Sequence, residues 1–336
     1  MCEHCKIQPT PTQATALTRR RMLGLGAAGA AGAALTTLGP LTGVAEASAS
    51  FGGHSHRRRR IPVESISIQL YTLATLMAAD VDGTLEGLAE IGFEKVEHAG
   101  IPSGLTASQF HAALRRHGLR STSGHNPGPS DPFDPVAWSK VLEDANTIGQ
   151  RTVNWSSPGL KGFDAATGQL LYIDTAAEWL HLTDILNRAG EMAHDAGLGF
   201  GLHNHFWEFL PLKGSPLVGS DILLAETDPR YVHFEVDLFW AWYGHHDPAQ
   251  LVTFAQDRIS QFHVKDMVLS ATPVFSFLKD YTFTDPGEGI IDFARIFAAK
   301  TASPRHTEYI IERDAAGAAA MNTAQVGFNF LRNIRF

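Results

Sequence analysis

From Ile61 onward, short apolar runs alternate with longer stretches in which apolar residues recur every three or four positions. The first pattern reads as strands and the second as amphipathic helices. Strands are predicted over 65–71, 93–98, 119–124, 151–155, 198–203, 232–236, 259–264 and 309–312. Helices are predicted over 82–91, 108–117, 135–148, 175–196, 220–226, 248–254, 293–299 and about 318–333. Gly92, Gly118, Gly149 and Gly197 follow the first four helices, where a chain turning back needs a left-handed residue. Eight strands, each followed by a helix, predict an α/β chain folded as a single (β/α)8 barrel. An open doubly wound sheet is the competing architecture. It usually carries a glycine-rich loop after its first strand, and Leu70-Tyr71-Thr72-Leu73 stands there instead.

The first fifty residues have a different pattern. Arg19-Arg20-Arg21 precedes a weakly apolar Gly/Ala/Leu stretch to about Val44, followed by small-x-small triplets at Ala45-Glu46-Ala47 and Ala47-Ser48-Ala49. This predicts a twin-arginine-type signal peptide over 1–47, a flexible basic linker over 48–62 containing Arg57 to Arg60, and the barrel over 63–336. The expected destination is periplasmic or extracellular. No membrane association is expected after cleavage. Both cysteines, Cys2 and Cys5, fall in the leader, so disulfides cannot stabilise the exported chain. Losing 1–47 removes four basic and two acidic residues and moves the net charge from −8 to −10. An acidic surface disfavours nucleic acid as a partner. Composition otherwise sets only a globular background, 44% hydrophobic and 18% charged.

In a barrel of this kind, chemistry sits at the C-terminal ends of the strands. Four successive predicted strands deliver polar residues there: His203 and His205, then Glu235 and Asp237, then His263 and Lys265, then Glu312. Strand alternation puts the two members of each pair on one face. Nitrogen and carboxylate donors without sulfur suit one divalent ion, with Mn, Mg, Zn, Co and Fe(II) not distinguished. Phe206, Trp207, Phe239, Trp240 and Trp242, with Trp155 on the fourth strand, form aromatic platforms of the kind that suits the C–H faces of sugars. His98 and His125, at the ends of the second and third strands, are candidate hydroxyl binders.

The strings HNHFWEF, EVDLFWAWYGHHDP, FHVKDM, PGEGIIDF and YIIERD, with SIQLYTL and GFEKVEHAG near the start, resemble the xylose-isomerase-like sugar phosphate isomerase/epimerase family. The resemblance spans about Ser65 to Phe336. It implies a barrel with one divalent metal and a sugar-like small-molecule substrate. The implied ligands are His203, Asp237, His263 and Glu312, with His203 standing where better-known members carry Glu. That departure puts a two-glutamate proton shuttle in question. The expected catalytic residues are therefore Glu312 and His205 as acid/base groups, with Lys265 stabilising an oxyanion. The expected substrate contacts are His98, His125, Trp155, Glu208, Glu235 and Trp240.

The resulting expectation is isomerisation or epimerisation of an unphosphorylated sugar, keto-sugar or polyol through an enediolate. No phosphate-binding loop is visible in the sequence. Two alternatives remain: a metal-dependent keto-sugar or inosose dehydratase or lyase, and a non-catalytic exported sugar-binding barrel.

Overall fold

The computed structural model describes residues 59–336 except 273, 304 and 305. The proposed leader and most of the linker therefore lie outside the described residues. Eight parallel strands form one sheet: β1 (Ile66–Ile68), β2 (Lys95–His98), β3 (Arg120–Asn126), β4 (Thr152–Trp155), β7 (Gly199–His203), β8 (Val232–Asp237), β9 (Ile259–Val264) and β12 (Glu308–Ile311). Their spatial order is β1-β12-β9-β8-β7-β4-β3-β2. A parallel bridge between Gln69 and Glu97 brings the edges β1 and β2 together, so the sheet closes on itself. This is the (β/α)8 barrel that the alternation of patterns predicts.

Helices pack around the sheet: α1 (Ala74–Ala79), α2 (Val81–Ile91), α3 (Ala107–Arg116), α4 (Pro135–Ile148), α5 (Ala176–Asp195), α6 (Gly219–Glu226), α7 (Leu238–Tyr243), α8 (Pro248–Ala255), α9 (Phe293–Ala299) and α10 (Ala320–Asn333). Their starts are written locally. Asp80, Thr106, Asp134, Thr175 and Asp247 each accept a backbone N–H of the first turn, which satisfies donors the helix leaves open. Apolar residues on the outer strand faces, such as Val96, Val153, Phe200 and Phe262, are buried against these helices.

Two details differ from the sequence expectation. The first strand is short, because the Gln69 side chain accepts from Tyr71 N–H and turns the chain into a 3-10 helix at Leu70–Leu73. Two antiparallel hairpins, β5 (Leu160–Phe163) with β6 (Leu170–Tyr172) and β10 (Asp266–Leu269) with β11 (Tyr281–Thr284), are inserted between barrel elements.

The described end of the basic run is docked. The Arg59 guanidinium donates to the carbonyls of Phe297, Ala298 and Lys300 at the end of α9, and its backbone pairs with that of Phe336. Among the described residues no helix is long and apolar enough to cross a membrane.

Candidate metal centre

Register sets the site. His203 lies beside Glu235, and Asp237 beside His263, in adjacent strands. Glu312 follows directly on β12. Ligand atoms of His203, Asp237, His263 and Glu312 lie within 4.8 Å of one another, and all four residues are buried. We call these four the rim tetrad. The structure thus brings together the four residues singled out from the sequence.

The rim is strongly charged. His263 Nδ1 is 2.7 Å from Glu312 Oε2, and His203 Nε2 is 3.8 Å from Asp237 Oδ2. Lys265 Nζ lies 3.2 Å from Asp237 Oδ2, 2.9 Å from Glu312 Oε2 and 3.2 Å from Asp314 Oδ1. Burial alone would lower the Lys265 pKa, but these carboxylates outweigh it and raise it well above the ordinary value. Burial would raise Glu312, yet Lys265 and His263 hold it below the usual carboxylate range. Asp314, partly buried, is pushed up to about 6 by its surroundings against the pull of Lys265.

A second layer lies beneath. Glu235 Oε1 is 2.9 Å from His125 Nε2, 3.0 Å from His203 Nδ1 and 3.1 Å from His263 Nε2. His125, His203, Glu235 and His263 form a second group whose ligand atoms lie within 4.8 Å of one another, here called the inner tetrad. Glu97 flanks it, 3.0 Å from His125 Nε2 and 3.4 Å from His263 Nε2. Gln69 and Ser123 donate to Glu97, while Asn154 donates to Glu235 and Gln261. The sequence reading missed Glu97, although it lies within the quoted string GFEKVEHAG, one residue before His98, where strand alternation aims it inward. His125 and Glu235 were expected to touch substrate and instead belong to this layer.

The remaining expected contacts divide. His205 is partly buried at the mouth. It stacks on Trp207 with ring centroids 4.4 Å apart, and its buried Nδ1 has no hydrogen-bond partner. Burial, then Lys265, drive its pKa well below the ordinary value, so the ring is neutral. Trp240 carries Lys265 Nζ 5.3 Å from its ring centroid.

Three expected substrate contacts face away. His98 alternates with inward Glu97 and lies on the outer face against Phe110, over Gly124, where a Cβ would overlap its ring. Trp155 alternates with inward Asn154 and is covered by Gly128. Glu208 accepts from the His205 N–H and borders an apolar cavity behind the sheet, lined by Leu202, Phe234 and Val236. Burial raises its pKa well above the usual carboxylate value.

The chain matches the model of the xylose isomerase-like TIM barrel family over residues 85–334. It belongs to the xylose isomerase-like TIM barrel family. Among curated relatives of this barrel, inosose dehydratase of Geobacillus kaustophilus is 33% identical over 132 residues, 37% of this chain and 42% of the relative. The chain spans about half or less of the length of the curated relatives it matches. A sugar phosphate isomerase/epimerase structure from Parabacteroides distasonis aligns with TM-score 0.63 and 21% identity, covering 85% of this chain and 97% of the other. The IOLI protein, whose structure holds a zinc atom, aligns with TM-score 0.57 and 13% identity, covering 79% and 96%. These two structures share the fold.

The residues present fit a divalent ion. The donors are imidazole nitrogens and carboxylate oxygens, which suit such cations. The buried Asp237 Oδ2 accepts no hydrogen bond of good geometry while facing His203 Nε2.

Proposed function

We propose that this xylose isomerase-like barrel is a divalent-metal-dependent isomerase or epimerase. Its substrate would be an unphosphorylated sugar, keto-sugar or polyol, and its first step would be removal of a proton next to a carbonyl. The observation that carries this reading is the rim: a metal-fitting tetrad, an ionised carboxylate, a buried ammonium and a neutral imidazole share one strand-end surface.

A divalent ion held by His203, Asp237, His263 and Glu312 would polarise a carbonyl and a neighbouring hydroxyl. Lys265 presents fixed positive charge where an enediolate oxygen develops, and it needs no reorganisation to do so. His205, neutral and with Nδ1 unpartnered, accepts the proton from carbon and returns it. Glu312 exchanges the hydroxyl proton. Trp240 and Phe206, beside His205, offer apolar faces to the sugar ring. The N-terminal segment, proposed as a twin-arginine leader, supports an unphosphorylated substrate, because sugar phosphates are mainly intracellular.

A second reading has a specific observation in its favour: the curated relatives are named inosose dehydratases. The same proton removal followed by loss of a β-hydroxyl would give a dehydratase. The deciding experiment incubates metal-loaded protein with keto-sugars and inososes in deuterated water, followed by NMR and mass spectrometry. Deuterium at carbon without loss of water supports the isomerase. Loss of 18 mass units, the mass of water, supports the dehydratase. Saturable binding with neither supports a non-catalytic sugar-binding barrel.

A further inference from the structure

The two histidines of the rim tetrad share a partner beneath it. His203 Nδ1 is 3.0 Å and His263 Nε2 is 3.1 Å from the same atom, Glu235 Oε1. Their opposite nitrogens face the rim: His203 Nε2 lies 3.8 Å from Asp237 Oδ2, and His263 Nδ1 lies 2.7 Å from Glu312 Oε2. A carboxylate only accepts hydrogen bonds. A ring nitrogen turned toward it therefore carries the hydrogen, and the other nitrogen of a neutral ring keeps its lone pair for a metal. The geometry thus selects opposite tautomers, Nδ1–H on His203 and Nε2–H on His263. The third ring of this layer has a second acceptor, since Glu97 lies 3.0 Å from His125 Nε2. Glu235 is itself held in place. Asn154 donates to its other oxygen and to Gln261, and Gln261 donates to Ser123.

We propose that Glu235 is a positioning residue for the rim ion: one buried carboxylate that sets, from below, the tautomer and orientation of both imidazole ligands. This rests on the rim tetrad holding the ion, as assigned above. Glu235 touches neither ion nor substrate in this role. Its charge matters as well as its shape. In Glu235→Gln the Asn154 amide, which donates to the second oxygen of Glu235, claims the one carbonyl oxygen left. The new NH2 group then faces His203 and His263. A donor in that place moves each ring hydrogen to the rim nitrogen, which then has no lone pair to give the ion.

The test reads ring chemistry and metal affinity, not turnover. Protein labelled with 15N in histidine is loaded with Zn(II), and two-bond proton–nitrogen correlation spectra report which nitrogen of each ring carries hydrogen. Two zinc-dependent rings are expected, one bound through Nε2 with hydrogen on Nδ1 and one bound through Nδ1 with hydrogen on Nε2. Chelator-stripped protein is also titrated with Co(II). Glu235→Gln is expected to bind at least about tenfold more weakly. Glu97→Gln removes the same charge from the same layer but reaches a rim histidine only at 3.4 Å, and it is expected to lose less than Glu235→Gln. Circular dichroism verifies folding, and if Glu235→Gln fails to fold, the tautomers of the unaltered protein decide. Both rings bound through the same kind of nitrogen, a smaller loss than tenfold in Glu235→Gln, or an equal or larger loss in Glu97→Gln overturns the proposal while leaving the metal at the rim. No ion bound by the unaltered protein overturns the metal-dependent reading and this proposal together. The expected tautomers and affinities without turnover count against the assigned reaction alone.

Discussion

Lys265 is an ammonium with almost no solvent contact, and its charge is balanced by Asp237, Glu312 and Asp314. Removing one partner of such an arrangement leaves uncompensated charge in a low-dielectric site. Lys265→Met is therefore expected to cost about 3–5 kcal/mol in urea unfolding of the metal-free protein. A divalent ion should recover part of that loss, because it restores positive charge to the same carboxylates. Glu312→Gln keeps the shape while removing the carboxylate that exchanges the hydroxyl proton and would hold the ion, and turnover should fall by about 10²-fold or more in steady-state assays. His98 gives a different signal. Gly100 N–H donates to its Nδ1, and its Nε2 lies against the Gln150 amide nitrogen. Burial drives the His98 pKa down to about 4. The unfolded chain takes up a proton near the ordinary value of 6.5 while the folded chain resists, so this contribution is present above pH 6.5 and lost as pH falls toward 4. It amounts to about 3 kcal/mol at most. His98→Gln should flatten that part of the stability-against-pH curve measured by denaturant titration.

At the scale of elements, strands β7, β8, β9 and β12 fall where the apolar alternation predicts them, and the rim was readable because each carries a polar residue at or next to its C-terminal end. The inner layer was not readable in the same way. Gln69, Ser123, Asn154 and Gln261 lie on separate segments of the chain, and only closure of the barrel makes them neighbours. Outward placement of His98 and Trp155 follows from alternation once Glu97 and Asn154 are known to face inward. Helix α7 was read only as a row of aromatics at the mouth. Its start is set by Asp237, whose side chain also accepts from Trp240 N–H, so one residue both caps a helix and faces the candidate metal position. The Pro286-Gly287-Glu288-Gly289 turn leads into α9. Asp266 holds it by accepting backbone N–H groups of Gly287, Gly289 and Ile291. A Cβ on Gly289 would stand 2.1 Å from Asp266 Oδ1. Gly289→Ala should break this cradle and lower stability by about 2 kcal/mol, read as a lower urea midpoint with an unchanged slope.

For the whole molecule, the closed sheet leaves the charged layers enclosed by strands. An ion that binds only the folded state stabilises it by about 2.7 kcal/mol at a hundred times its dissociation constant. Chelator-stripped protein is therefore expected to melt several degrees below the metal-loaded form in a thermal scan, with the gap widening as metal concentration rises. Asp237→Asn with Glu312→Gln in one chain should abolish the gap, since that pair removes two ligands from the rim tetrad.

The pairing of Arg59 with Phe336 has a practical outcome for protein engineering. Arg59 N–H donates to the Phe336 carbonyl at 2.6 Å and Phe336 N–H to the Arg59 carbonyl at 3.3 Å, so a few flexible residues would be enough to stitch 336 to 59. New termini could then be cut at the tip of the β5–β6 hairpin, far along the chain from that seam. Such a circularly permuted version of residues 59–336 should retain the barrel.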